Sequence, residues 1–506
     1  MVDVRGRLRL RARTAPWDGG RGRFPARPGA LRGVARIGRR IGWGLADQAL
    51  SSAANFAVGV LVARSVSTSE FGSFSLAFTT YLIALNVSRG LTTDPLNVRF
   101  SHVEPSVWRR AAAGATGTAI QLGAVLGIGC LAMGLLLHGP LRVSLLALGV
   151  TLPGLLLQDA WRHAFFSDAK GARAFVTDLT WVVVQLALYA VLFATGRASL
   201  GLLVLAWGGA ACVAGGAGCA LARLLPRPSL IAGWLRAQLD LGTRYLAENL
   251  TISGAVAAWM YGLGVVAGLG AVGALRAAEL VVFGPLNVVF HGIFLMAIPE
   301  AVRLLRRGTR HLLAASVAIG GTLAVVALAW GTIVQLTPGR AGQALLHDTW
   351  DPARVLLLPA TIFAVLIGVT SGAEVGLRAL GQANRSLASR VTASSLSIAG
   401  VLTGGALAGA RGAVWGLAAT GVVSTLVWWA QLLRGARAHQ PGDRGPTREQ
   451  PVGPAWHAST TTPGTFRLMI GDFVYEPPAE HHLAVPSPGE RAAEPAEHRE
   501  GDQHTE

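Results

Sequence analysis

Twelve apolar stretches, each about 20 residues long, divide the chain between residues 41 and 434. They fall at roughly 41–63, 72–93, 111–137, 141–161, 174–195, 199–222, 244–266, 273–299, 311–336, 353–377, 387–409 and 412–434. A helix of this length crosses the hydrocarbon core of a bilayer, and it pairs its own peptide groups where water is absent. The fold class expected is an all-α polytopic membrane protein with twelve transmembrane helices. Composition agrees, because only 14% of residues are charged against about 25% in soluble domains.

The charges between the stretches set the orientation. The net charge of +17 is carried almost wholly by arginine, since the only lysine is Lys170. If residue 1 is cytosolic, the inner loops hold clusters such as Arg99, Arg109 and Arg110, or Arg303, Arg306, Arg307 and Arg310. The outer ends hold one or two arginines each, for example Arg64, Arg142, Arg197 and Arg411. This asymmetry follows the positive-inside rule. It predicts a multi-pass protein of the cell's inner (cytoplasmic) membrane with both termini cytosolic. No basic stripe interleaves with aromatic residues, so nucleic acid is not an expected partner; membrane lipids are.

Residues 1–40 contain twelve arginines and no apolar core, which predicts a disordered basic cytosolic tail rather than a signal peptide. Residues 41–222 form an N-terminal six-helix lobe and 244–435 a C-terminal one. Between them, Pro226 and Pro228 interrupt helix. Residues 223–243 then form either an ordinary cytosolic linker or a short interfacial helix with Trp234 and Leu235 on its apolar face. Residues 436–506 read as a disordered cytosolic tail with scattered histidines and one apolar island, FRLMIGDFVY at 466–475.

The two lobes carry a repeat. LADQALSS begins at Leu45 and LAENLTIS at Leu246, an offset of 201 residues. At the same offset Phe71–Gly72 aligns with Val272–Gly273. One register serving two helix pairs predicts parallel, pseudo-symmetric lobes related by an axis along the membrane normal. The more conspicuous DPLNVRF (94–100) and GPLNVVF (284–290) do not share a depth, and we set that match aside.

Several chemistries are excluded. Lys170 precedes Gly171, so no Walker A loop exists. Gly268, Gly270 and Gly273 match a dinucleotide fingerprint in letters only, because no strand precedes them. No catalytic triad, paired-carboxylate or metal-ligand spacing occurs. Cys130, Cys212 and Cys219 lie in apolar helices as packing residues. The expectation is a transporter, not an enzyme, with no cofactor and no metal.

WGLADQALSSAANFAVGVLVARSVSTSEFGSFSLAFTTYLIAL, across the first two spans, resembles the polysaccharide/oligosaccharide flippase branch of the multidrug/oligosaccharidyl-lipid/polysaccharide flippase superfamily. The turn LVARSVSTSEFG, the Ala297–Ile298–Pro299–Glu300 end of span eight and GLRALGQANRSLASR at 376–390 are similar to that branch's motifs. The resemblance covers about 41–435. It implies two lobes alternating around a central cavity and a lipid-linked oligosaccharide as substrate, for cell-envelope polysaccharide synthesis. Envelope glycosyltransferases or a polymerase are the partners it implies. The lipid II flippase branch usually has fourteen helices, two more than counted here. The major facilitator fold is disfavoured by SHVEPSVWRR between spans two and three. A cation- or proton-coupled multidrug exporter of the same superfamily and a membrane scaffold for envelope enzymes are the alternatives.

Charges within spans single out candidate residues, because they are expensive in lipid and usually face the interior. Asp47 with Gln48 and Glu248 with Asn249 are the repeat-related pairs. Either they sit in first helical turns as partners of the helix dipole, or they line the cytosolic mouth of the cavity and exchange partners with Arg89 or Arg162. Asp94 joins Arg89 at the end of span two. Glu374 and Arg378 have the i,i+4 spacing of an ion pair. Arg64, Arg89 and Arg276 are candidates for a pyrophosphate headgroup, since guanidinium suits phosphate. His291 is either a proton-coupling residue or a hydrogen-bonded core histidine.

Overall fold

The structure, a computed structural model, describes residues 28–101 and 103–439, without the side chains of residues 28–41 and of Leu45, Glu248, Thr251, Ile252, His291 and Leu295. The apolar island at 466–475 and the histidines of the C-terminal tail lie outside these residues. Apart from turns, the described chain is helical throughout. Its helices are α1 (Pro28–Ser65), α2 (Thr68–Leu91), α3 (Thr93–Arg99), α4 (Pro105–Leu136), α5 (Gly139–Ser167), α6 (Gly171–Ala194) and α7 (Leu200–Ala222). They are followed by α8 (Ile231–Leu305), α9 (Thr309–Leu336), α10 (Gly339–Leu346), α11 (Trp350–Arg354), α12 (Leu357–Ala379) and α13 (Ala383–Ala438).

Ten helical segments among the described residues are long and apolar enough to cross a membrane. Two of them, Ser253–Leu305 of 53 residues and Ala383–Ala438 of 56, each cover two of the expected spans. Both break sharply. In α8 the backbone turns at Gly268, whose φ of 81° only glycine adopts cheaply. In α13 it turns at Ala408 and Gly409. The α13 arms fold back on each other without side chains between them: a Cβ on Gly404 would lie 2.1 Å from the Gly412 carbonyl oxygen, and one on Gly416 2.0 Å from that of Gly400. These pairs close symmetrically about residue 408, as an antiparallel hairpin requires.

α1 begins at Pro28, within the stretch expected as tail. Arginine, alanine and leucine favour helix, and proline suits a first turn. The linker after α7 also differs from expectation. A 3-10 turn at Pro228–Leu230 leads straight into α8, which continues unbroken to Gly268. The start of α8 and the turn before it are pinned to α2 and α4. Trp234 is buried and its Nε1 donates to the Leu91 carbonyl at 3.0 Å, while Arg227 N donates to Ala113 O at 2.9 Å.

Two registers relate the halves. At offset 201, α2 crosses the second arm of α8 with backbone against backbone. A Cβ on Gly72 would meet Leu269 O at 1.9 Å, and a Cβ on Gly273 would meet Thr68 O at 1.9 Å. Thr68 and Leu269 are themselves 201 apart, so the contact is reciprocal, the signature of a two-fold relation. From α5 onward the offset becomes 212, because α10 and α11 lengthen the connection before α12. The turn after α5 is closed by Asp168 N to Ala164 O, Ala169 N to Phe166 O and Lys170 N to Phe165 O. The turn after α12 is closed by Leu380 N to Gly376 O, Gly381 N to Arg378 O and Gln382 N to Leu377 O, each bond displaced by 212.

The core is where these helices meet. Phe71, Phe74, Phe78, Tyr81 and Trp207 pack against Val272, Leu275, Ala278 and Val282. Outward-facing apolar side chains such as Val125, Ile128, Val183, Val325, Leu328 and Leu426 remain exposed. A perimeter this apolar is stable against lipid, not water. The chain is a multi-pass membrane protein.

Candidate functional site

Polar side chains gather where α1, α2, α5 and α6 converge. Asp47 is fully buried and accepts hydrogen bonds from Arg162 Nε at 2.9 Å and Nη2 at 2.5 Å. Arg162 also lies 3.1 Å from Asp178 Oδ2. Beside them, Arg89 makes a bidentate pair with Asp159, through Nε at 3.0 Å and Nη2 at 2.6 Å. His163 stands 3.7 Å from the same carboxylate, and Gln158 Nε2 donates to Asp178 Oδ1 at 2.7 Å. Burial of such groups is tolerable only because they pair; leaving one unpaired costs several kcal/mol. Asp47 Oδ1 has no hydrogen-bond partner among the described residues.

Helix periodicity builds this network. Gln158, Asp159 and Arg162 recur at i, i+1 and i+4, so one face of α5 presents all three. Asp178 sits two turns into α6, opposite Arg162 across the tight turn at Ala169. The network then opens into two adjoining pockets. One is lined by Ser51, Asn55, Tyr81, Arg89, Asp178 and Trp181 among others. The next is lined by Asn55, Phe74, Trp207, Arg276 and Leu280 among others. They share Asn55, Phe78 and Trp207, so together they form a chamber in the N-terminal half that reaches α8 through Arg276 and Leu280. Trp207 meets Tyr81 edge-on at 5.1 Å. Arg276 lies 5.7 Å above the Phe78 ring and pairs with Glu279 at 3.1 Å.

Of the expected site residues, Asp47 and Arg162 meet, as one expected pairing proposed. Arg89 instead takes Asp159, which is one turn from Arg162 on the same helix. The helix-dipole reading of Asp47 and Glu248 fails: Asp47 is deep within α1, which starts at Pro28, and Glu248 is well inside α8, which starts at Ile231. The dipole acts only over the first turn. Gln48 bonds Ser52 along α1 at 3.3 Å. Asn249 Nδ2 donates to Asp94 Oδ2 at 3.0 Å, which ties α8 to α3. Arg276 lines the chamber; Arg64 does not, and is exposed in the last turn of α1. The side chains of Glu248 and His291 lie outside the described ones. Sequence reasoning missed Asp178 as well as the aromatic wall of Tyr81, Trp181 and Trp207. For Asp178 the signal was present, since it is an acid within the apolar span 174–195.

No protein-family profile matches the sequence, and no curated protein matches it. Solved structures do. One is the lipid II flippase MurJ in an inward closed conformation, at a TM-score of 0.56 and 10% identity, covering 78% of this chain and 90% of that one. Another is an inward-facing multidrug resistance MATE family transporter of the MOP superfamily, at a TM-score of 0.50 and 15% identity, covering 78% and 96%. The chain has their fold. The likeness is one of fold and does not single out the polysaccharide branch that the sequence resembles.

Proposed function

We propose that this chain is a membrane transporter working by alternating access, which carries a lipid-linked oligosaccharide to the far leaflet of the cytoplasmic membrane for cell-envelope polysaccharide synthesis. The observation that carries this reading is the chamber, with Arg89 and Arg162 at one end, Arg276 of α8 at the other and aromatic rings between. Sugars stack on aromatic faces, and phosphates take guanidinium. The lobes 41–222 and 244–435 would rock about the reciprocal contact of Gly72 with Gly273. The arginine-rich helix ends would face the cytosol, with both termini and the enzymes that build the substrate. MurJ is a flippase of lipid II, a molecule of this chemical kind.

The test is direct. Deleting the gene should leave lipid-linked repeat units on the cytosolic leaflet, and purified chain in proteoliposomes should move a fluorescent lipid-linked saccharide between leaflets. Normal surface polysaccharide in a deletion strain without a paralogue, together with inactive proteoliposomes, would overturn the reading.

A second reading, a cation- or proton-coupled multidrug exporter, is favoured by one specific observation. Three carboxylates, Asp47, Asp159 and Asp178, face two guanidiniums, Arg89 and Arg162, and the His163 imidazole in the buried network, so with that imidazole neutral one negative charge is in surplus. Surplus negative charge in an apolar interior takes a proton or a cation at low cost. Acid-gradient-driven efflux of organic cations from the same vesicles, without saccharide movement, would select this reading over the first.

A further inference from the structure

The register of 212 exposes a relation between the lobes that residue identity hides. Arg162 of α5 pairs with Asp178 of α6, 16 positions on. Adding 212 gives Glu374 of α12 and Arg390 of α13, and these also pair, at 2.6 Å. The position is kept and the charges are exchanged.

Each central residue has a second partner. In the N-terminal lobe it is Asp47, so two acids share one guanidinium. In the C-terminal lobe it is Arg378, 2.8 Å from the same Glu374 Oε1, so two guanidiniums share one carboxylate. The first set carries one surplus negative charge and the second one surplus positive charge. The fold does not demand that surplus, because the position equivalent to Arg378 in α5 is Phe166.

We propose that Glu374, Arg378 and Arg390 form an oxyanion-binding site for a phosphate or pyrophosphate group. Where that group belongs to a transported lipid-linked saccharide, the proposal rests on the function proposed above. Glu374 is fully buried, whereas Arg378 and Arg390 keep 13% and 12% of their side-chain surface open. Their flat faces are covered, Arg378 by Phe294 at 5.1 Å and Arg390 by Trp428 at 5.7 Å. Coverage of the faces leaves the N–H edges for a ligand, and those edges match phosphate oxygens two at a time. One such donor, Arg390 Nε, is buried with no hydrogen-bond partner among the described residues, as is the acceptor Glu374 Oε2 of the carboxylate it faces. A desolvated surplus cation with an idle donor is stabilised by an anion, and the two aromatic faces hold both guanidiniums in place before it arrives. Phe294 lies on the second arm of α8, about 27 Å along the helix from Arg276. A single helix thus carries a cationic contact near each of its ends.

The probe is inorganic pyrophosphate, titrated into the purified full-length chain while thermal stability is followed. The wild type should show saturable stabilisation. Arg378→Gln, which leaves the Glu374–Arg390 pair intact, should weaken it about tenfold or more. Arg378→Phe, which installs the side chain found at the equivalent position of α5, should do the same. Arg303→Gln, at an exposed arginine paired with Glu300, should leave it unchanged. Reconstitution in phosphatidylcholine, with and without about one-fifth phosphatidylglycerol, separates the sources. Competition by the anionic lipid assigns the site to membrane phospholipid, and its absence assigns it to the substrate headgroup. No saturable effect in the wild type, or an unchanged one in folded Arg378→Gln and Arg378→Phe, overturns the proposal. If saccharide transport persists in that case, the transport reading stands without this site. If pyrophosphate binds through Arg378 but no saccharide moves, the site stands and that reading falls.

Discussion

Gly72 of α2 and Gly273 of α8 are each positioned so that a Cβ would reach 1.9 Å from a carbonyl oxygen of the opposing helix. No rotamer relieves such a clash, because the Cβ position is fixed by the backbone. Gly72→Ala and Gly273→Ala should therefore each force the two helices apart at this end. The expected result is a shift toward a conformation open there, with transport slowed by an order of magnitude or more. A cysteine placed at Asn55 in the chamber, in a background lacking Cys130, Cys212 and Cys219, measures the shift. Faster labelling by a membrane-impermeant reagent confirms it, and unchanged labelling refutes it.

Asp47 and Arg162 predict opposite outcomes for removing either partner. Asp47→Asn leaves Arg162 paired with Asp178, so abundance and thermal stability should stay near wild type while transport falls. Arg162→Gln strands two buried carboxylates and should destabilise by about 3–5 kcal/mol. Adding Asp47→Asn and Asp178→Asn to Arg162→Gln should restore much of that loss, since both stranded charges are then gone. Denaturation of the purified variants in detergent provides the measurement. Equal destabilisation by Asp47→Asn and Arg162→Gln would show that Asp178 does not hold the arginine.

These pairs also explain what was legible in the sequence. The 201 register could be read because Asp47 and Glu248 share a charge sign within Leu-Ala-acid-amide. The 212 register could not, for two physical reasons. The residues of α10 and α11 shift it, and Arg162–Asp178 against Glu374–Arg390 keeps geometry while reversing charge, so similarity between residues vanishes. Span positions were legible because apolar length is set by the bilayer. The break at Gly268 falls between two expected spans, and that at Ala408–Gly409 takes the last two residues of the span expected at 387–409. The chamber's aromatic wall was not legible, because Tyr81, Trp181 and Trp207 look in sequence like any membrane-helix aromatics. Only the crossing of α2, α6 and α7 brings them together.

Arg99 and Asp240 supply a pH prediction at the α3–α8 contact. Arg99 Nη2 donates to Asp240 Oδ2 at 2.6 Å, and this hydrogen bond holds the Asp240 carboxyl below the usual carboxylate range. A depressed folded value means the contact is fully present above the unfolded value and is lost as pH falls through the folded one. Between pH 7 and about pH 5 the contact should therefore persist, and it should open only at more acid pH. Asp240→Asn should weaken the α3–α8 contact at neutral pH and remove the share of the acid dependence that this pair carries, with the Asn249–Asp94 bond left in place. Hydrogen exchange of residues 93–101 across pH tests both statements. Loss of protection already at pH 6 in the wild type would contradict them.

Ala169 and Gly381 test the second register through backbone energetics alone. Both close the same turn, 212 apart, with φ of 54° and 68°. Glycine adopts this conformation freely, whereas alanine pays about 1–2 kcal/mol for it. Ala169→Gly should therefore stabilise the chain by up to about 1 kcal/mol, after the entropy that glycine adds to the unfolded state is deducted. Gly381→Ala should destabilise it by about 1 kcal/mol, and transport should change little in either variant. A Cβ at Gly381 meets no atom within 4 Å, so a loss there cannot be steric crowding. Opposite signs in thermal stability at these two positions support equivalent turns in the two lobes. Matching signs would mean that one of the two turns does not hold its positive φ.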